Sequence, residues 1–163
     1  MPSNFEDFLQ AAEDHYLQPT EINNFKQQVN ALQDRLALYE LLREQELAIF
    51  QTVVDQLQKQ RFSNTAAELE KVLTHWIAVL RYSAMAMLLN QPELLESQLL
   101  GWLVDILHRD EFASLNRRIS DFLQQSLASV LDAEQIALIA PLLQKANTAL
   151  VSEDRSRELA VLG

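Results

Sequence analysis

The sequence predicts an all-α fold, a bundle of helices with no sheet, and three observations carry that prediction. The 163 residues include only 2 Gly and 4 Pro, too few for the turns on which a β-rich chain draws. Leu, Ala, Gln and Glu dominate, and these are strong helix formers. Apolar residues recur every three or four positions, the rhythm of one helix face, rather than alternating. A hydrophobic fraction of 48% over this length fits one domain, 1–163, with a sizeable core.

Each element follows from local signals. Ser3 or Asn4 caps a first short helix, with Glu6 and Asp7 well placed in its first turn. Phe5, Phe8, Leu9, Ala12 and Tyr16 form its apolar stripe. Gln18-Pro19-Thr20 breaks that helix, and Pro19 or Thr20 opens the next. From Glu21 to about Gln60 the pattern stays helical. Ile22, Phe25, Val29, Leu32, Leu36 and Tyr39 lie on one side, and Leu47, Phe50, Val54 and Leu57 continue the period. A run of about forty residues exceeds an ordinary globular helix, so a break is expected near Leu32–Leu36 although no Gly or Pro marks it.

Ser63 or Asn64 caps a helix that runs to about Leu89 and ends at Gln91-Pro92, because a residue before proline is pushed out of the α region. A further helix covers roughly Glu93 to His108, Asp110 caps another through about Ser129, and Asp132 starts a last one ending near Val151. The expected layout is an N-terminal helical arm over 1–18, a core over 19–151 and a frayed tail over 152–163. The arm's apolar face can fold back on its own bundle or pack on a second subunit, and spacing does not choose between them.

Composition excludes several classes. A formal net charge of −10, with no Lys/Arg cluster, repels phosphate backbones and anionic bilayers, so no nucleic-acid partner is expected. With no cysteine there is no disulfide, thiolate metal site or thiol nucleophile. The acidic start Met1–Asp7 is unlike a signal peptide, and no uninterrupted apolar run approaches the roughly 18 residues of an integral membrane segment. Two glycines, Gly101 and Gly163, cannot build a phosphate loop. No hydrolase or zinc-protease motif occurs and no His pair has ligand spacing, so neither an enzyme nor a metal site is expected.

Three segments carry a family resemblance. Asp14-His15-Tyr16-Leu17-Gln18-Pro19-Thr20-Glu21-Ile22 is similar to a turn with the pattern Gly-Arg-aromatic-Leu followed by Glu and an aliphatic residue. Leu80-Arg81-Tyr82-Ser83-Ala84-Met85-Ala86-Met87-Leu88 resembles a Leu-Arg-aromatic-x-(Ser/Thr)-Tyr segment, and Leu99-Leu100-Gly101-Trp102-Leu103-Val104-Asp105 resembles a Leu-x-Gly-Leu segment. In their order and spacing these resemble the phycobiliproteins, the light-harvesting subunits of the phycobilisome. The resemblance implies a globin-like bundle behind an N-terminal helical hairpin used for dimerisation. It also implies subunits that pair and assemble into rings, in the cytoplasm at the periphery of thylakoid-associated complexes of cyanobacteria.

The departures from that family bear on pigment. Counting back from Arg81, its bilin-bearing cysteine falls at Val72, and the Arg-Asp pair that grips the pigment falls at Thr74 and His75. The segment from Phe62 to Leu69 is shorter than the family's pigment-covering loop. No covalent cofactor is therefore expected.

If a tetrapyrrole binds without a covalent bond, the candidates are His75, Trp76, Arg81 and Tyr82. Each has a plainer explanation: a histidine with an ordinary partner at 75, and Trp76, Trp102, Met85 and Met87 as core. Arg81 inside an apolar helix needs an acidic partner, within the fold or across a subunit boundary. Asp14 and Glu13 are candidates by the resemblance alone. His108 suits a helix end, and His15 suits an interface rather than catalysis.

The leading expectation is a non-pigmented accessory protein of the light-harvesting or photosynthetic apparatus that regulates or scaffolds its partners. It would form a homodimer, or a heterodimer with a phycobiliprotein-like subunit, with Phe5, Phe8, Leu9, Ala12 and Tyr16 as the contact face. The alternative is a non-covalent haem or bilin sensor or carrier with a globin-type pocket. A third reading is a non-haem sensor globin that takes an apolar ligand.

Overall fold

The structure is a computed structural model that describes residues 5–151. The expected caps Ser3 and Asn4, the tail from Ser152 and its Glu153–Glu158 run lie outside the described residues. Among the described residues the chain is helical with no strand, and it divides into two compact units, Met1–Leu38 and Tyr39–Gly163. The boundary falls inside a helix.

In the first unit, α1 (Phe5–Asp14) carries Glu6 and Asp7 in its first turn, where carboxylates oppose the helix dipole. Phe8 is buried, and the rings of Phe5 and Phe8 meet Phe25 edge-on at 5.8 and 5.3 Å between centroids. The rest of the expected stripe faces outward. Ala12 is exposed, Leu9 is 67% exposed, and Tyr16, 97% exposed, lies beyond the helix end.

Pro19 opens α2 (Pro19–Gln58), its fixed φ and missing N–H being harmless at a first helical position. The expected break near Leu32–Leu36 is absent: α2 runs uninterrupted for 40 residues. Sharp kinks need Pro, Gly or an inserted turn, and this stretch has no Gly and no Pro after Pro19.

In the second unit the far half of α2 turns Leu42, Ile49, Phe50, Val53 and Leu57 inward. Leu47, expected on that face, is 80% exposed. It lies two residues before Ile49, about 200° around the helix.

The cap of α3 (Ala66–Leu89) is Thr65 rather than Ser63 or Asn64, its hydroxyl accepting from the Glu68 amide at 3.2 Å. Asn64 instead ties the preceding turn down, its amide group donating to Glu68 Oε2 at 3.0 Å and to the Glu111 carbonyl at 2.8 Å. The helix stops at Asn90, left-handed at φ 54°, and the Gln91 amide returns to the Ala86 carbonyl. By length and composition alone α3 is apolar enough to cross a bilayer. Its face of Val72, Trp76, Val79, Leu80 and Met87 is instead buried, and α3 packs on α4, α6 and α7.

The stretch expected as one helix over Glu93–His108 is α4 (Glu93–Leu95), a π-helical turn (Glu96–Leu100) and α5 (Gly101–Leu107) in succession. The wider turn puts adjacent residues Leu99 and Leu100 both in the core. A Cβ on Gly101 would stand 3.2 Å from the Glu96 carbonyl oxygen, so glycine suits the exit from this turn.

Asp110 does not cap the following helix directly; it opens a 3₁₀ turn (Asp110–Phe112) that leads into α6 (Ala113–Val130). Then α7 (Ala133–Val151) starts at Asp132 as expected. Asp132 Oδ1 accepts from the Gln135 amide at 2.9 Å while Gln135 Oε1 accepts from the Asp132 amide at 3.0 Å, a reciprocal capping box. Pro141 sits within α7 and costs it one internal hydrogen bond without ending it.

Candidate functional site

The stretch of α3 singled out by sequence distributes its side chains over three surroundings. Val72 is completely buried. Thr74 donates its hydroxyl back to the Glu70 carbonyl at 2.8 Å, and His75 donates Nδ1–H to the Lys71 carbonyl at 2.7 Å. A carbonyl only accepts, so this bond fixes the neutral ring as the Nδ1–H tautomer and leaves the lone pair on Nε2. His75 is half-buried, and its ring meets Trp102 edge-on at 6.3 Å.

Trp76 points inward at 2% exposure, and its indole N–H donates to Asn116 Oδ1 at 2.9 Å. The Asn116 amide in turn donates to the Leu107 carbonyl at 2.8 Å. That carbonyl ends α5, where no helical partner remains for it. One buried asparagine therefore satisfies the indole and closes a helix end.

Arg81 and Tyr82, one turn and a half further along, line a cleft of about 640 Å³ between α2 and α3, with Tyr39, Arg43, Glu46 and Met85. The acidic partner expected for Arg81 lies within the fold. The guanidinium is 67% exposed rather than buried in an apolar helix, and it grips Glu46 with Nε–Oε1 at 2.6 Å and Nη2–Oε2 at 2.9 Å. The two-pronged hydrogen bonding holds the Glu46 carboxyl below the usual carboxylate range.

Of the four candidate tetrapyrrole contacts, Arg81 and Tyr82 share this cleft, His75 pairs with Trp102, and Trp76 with Asn116. Of the residues expected as core, Trp76 and Met87 are buried. Trp102 and Met85 are surface residues, 46% and 39% exposed, and the Trp102 indole donates to the Gln98 carbonyl of its own helix.

Glu46 and Asn116 were missed by sequence reasoning. Glu46 sits in a run of mixed charge with nothing to set it apart. Asn116 did leave a signal, as a polar residue in phase with Leu115, Ile119 and Leu123 on the buried face of α6.

The third place of interest is the turn between α1 and α2. His15 sets Nε2 2.9 Å from Glu21 Oε1 and Nδ1 3.2 Å from Asp14 Oδ2, and the Gln18 amide donates to the same Glu21 oxygen at 3.1 Å. These carboxylate bonds, with Glu21 the larger influence, raise the His15 pKa above its ordinary 6.5. Hydrogen bonding to His15 and to the Gln18 amide lowers that of Glu21 below 4.5. Among the described residues no group of His, Asp and Glu side chains is placed to hold a metal ion.

The described residues form an all-α bundle of helices with Val72 and Trp76 of α3 in its core. The chain belongs to the phycobilisome family: the family model described as "Phycobilisome protein" matches residues 10–150. Members of that family are light-harvesting structural proteins that oligomerise with one another. No curated protein matches the chain.

The family implies a covalent bilin, and the residues present do not fit one. The chain has no cysteine, and an aliphatic side chain, wholly buried, stands at 72. The polar groups at 74 and 75 are turned back onto their own helix.

Proposed function

We propose that this is a non-pigmented member of the phycobilisome family, acting by protein–protein contact to regulate or scaffold the cyanobacterial light-harvesting or photosynthetic apparatus. The observation that carries the reading is Val72, sealed in the core at the position where the family's pigment is anchored. Around it, Trp76 and Asn116 complete their hydrogen bonds within the protein.

The contact role is supported by α1 and the turn after it. There Leu9, Ala12 and Tyr16 offer unpartnered apolar surface, whereas Phe5 and Phe8 are engaged with Phe25. The arm joins a homodimer, or a heterodimer with a phycobiliprotein-like subunit, and the protein works in the cytoplasm beside thylakoid-associated complexes. It has no catalytic role and no nucleic-acid partner, in keeping with its charge of −10.

The test is to express the full chain with and without haem and bilin biosynthesis, then record its visible spectrum and its mass by light scattering. A colourless dimer or larger assembly is expected. A coloured protein, or a colourless strict monomer that binds no phycobilisome subunit, overturns the reading.

One observation favours a second reading, non-covalent haem or bilin binding. His75 presents an Nε2 lone pair beside the half-exposed Trp102, the form in which imidazole ligates or accepts. An absorption band that appears with haem or bilin and is lost in His75→Ala would favour it, whereas unchanged spectra at micromolar protein would reject it.

A further inference from the structure

The turn joining α1 to α2 has an electrostatic design that the proposed contact role does not require. A neutral imidazole has one N–H and one lone pair, so it can donate to one carboxylate only. His15 has a carboxylate oxygen within hydrogen-bond distance of both ring nitrogens, Glu21 at 2.9 Å and Asp14 at 3.2 Å. Both bonds can be donated at once only by the protonated ring. The charged groups facing it are Asp14 from the end of α1 and Glu21 from the first turn of α2, one from each helix it joins.

The anchor on the α2 side is fixed independently. Glu21 accepts the Gln18 amide at the start of α2, so its carboxylate stays in place whether or not the ring carries a proton. At the other end of the hairpin the rings of Phe5 and Phe8 pack edge-on against Phe25.

We infer that His15 is a proton-operated clasp: protonated, it bonds both carboxylates and ties the end of α1 to the start of α2 through Glu21, and on losing its proton it keeps at most one of the two bonds and holds α1 more loosely. The raised His15 pKa and lowered Glu21 pKa set the sign. The stabilisation from His15 is complete below 6.5 and is lost as pH rises through the raised value. That from Glu21 is present above 4.5 and is lost as pH falls through its lowered value. The clasp is thus closed below pH 6.5 and loosens as pH rises through the raised His15 pKa. The inference goes beyond the proposed function and does not rest on it, because its readout is the hairpin itself.

The test uses the isotope-labelled full chain. The His15 ring is titrated by NMR, and protection of the α1 amides, corrected for the intrinsic pH dependence of exchange, is followed between about pH 6 and about pH 8.5. In the unmodified protein protection falls by about threefold to tenfold, with the midpoint of the His15 titration. His15→Arg, which keeps the charge, stays protected throughout. His15→Gln, which removes it, is poorly protected throughout, and Glu21→Gln moves the His15 midpoint down toward 6.5. Protection that is flat across the His15 titration, or His15→Gln protected as well as the parent at pH about 6, overturns the inference.

Discussion

Replacing Asn116 by Leu should destabilise the second unit although it puts a hydrophobic side chain of similar volume into a fully buried position. Asn116 is 0% exposed and serves two buried groups, the Trp76 indole N–H at 2.9 Å and the Leu107 carbonyl at 2.8 Å. Leucine serves neither. Each group left unsatisfied costs about 1–3 kcal/mol, against about 1–2 kcal/mol gained by burying leucine carbons. The net loss is about 2–3 kcal/mol, which for a chain of this length lowers Tm by about 5–10 °C.

Trp76→Phe supplies the second corner of a double-mutant cycle, since it removes the indole donor and strands Asn116 Oδ1 instead. In the double variant only the Leu107 carbonyl lacks a partner. The two effects should then sum to at least about 2 kcal/mol more than the double variant shows. Urea unfolding of the four proteins, followed by far-ultraviolet circular dichroism, measures this directly. Additivity within about 0.5 kcal/mol would refute the network, and so would an Asn116→Leu protein as stable as its parent.

Three further outcomes are expected. Val72→Cys co-expressed with bilin biosynthesis should acquire no covalent pigment, because a thiol at this completely buried position is shielded from reaction. A bilin-fluorescent band on a denaturing gel would contradict this. Arg81→Ala should cost only about 0.2–1 kcal/mol in urea unfolding, because the guanidinium is 67% exposed. Since Arg81 holds the Glu46 pKa below 4.5, that difference should be present above pH 4.5 and shrink as pH falls through the lowered value, and a difference that grew in acid would reverse the assignment. Ser83→Ala should raise stability by about 0.5–1 kcal/mol, because the Ser83 hydroxyl on α3 is buried with no hydrogen-bond partner among the described residues; a loss of stability would show that the hydroxyl is satisfied.

The fold was legible where a local signal and a helical period coincide. Pro19 marks the start of α2 and Asp132 that of α7, and both are where the sequence puts them. The errors arise where the chain gives no local instruction. Nothing in α2 asks for a break, and length alone was a poor reason to expect one. The π turn at Glu96–Leu100 was illegible because an apolar run of Leu94, Leu95, Leu99, Leu100 and Leu103 fits an ordinary helix nearly as well.

At the candidate site the sequence showed that no thioether to a pigment can form, since the chain has no cysteine. It did not show where the remaining side chains would go. The Arg81–Glu46 pair spans 35 positions and the Trp76–Asn116 bond spans 40. Such pairings are set by how helices pack, and a pattern within one helix carries no trace of them.

On the proposed reading, the buried state of Val72 and Trp76 bears on how a family member could dispense with pigment. A bilin pocket left without its bilin is a void, and in protein interiors a void costs about 24 cal/mol for each Å³ that does not collapse. A chain that gives up the pigment must therefore refill the interior or lose stability. Here α3 presents Val72 and Trp76 to the core at 0% and 2% exposure, while α5 contributes Leu103 and Leu107, both at 0%. The indole N–H of that packing is met by Asn116.

On the proposed reading the working surface is the outside of the protein. Leu9 and Tyr16 are the exposed apolar residues to substitute there. Exchanging both for Ser should leave the urea midpoint of the second unit unchanged, since they belong to the first, while weakening self-association or subunit binding by at least about tenfold. Unchanged association would remove α1 and its following turn from the interface and place the contacts on another face of the bundle.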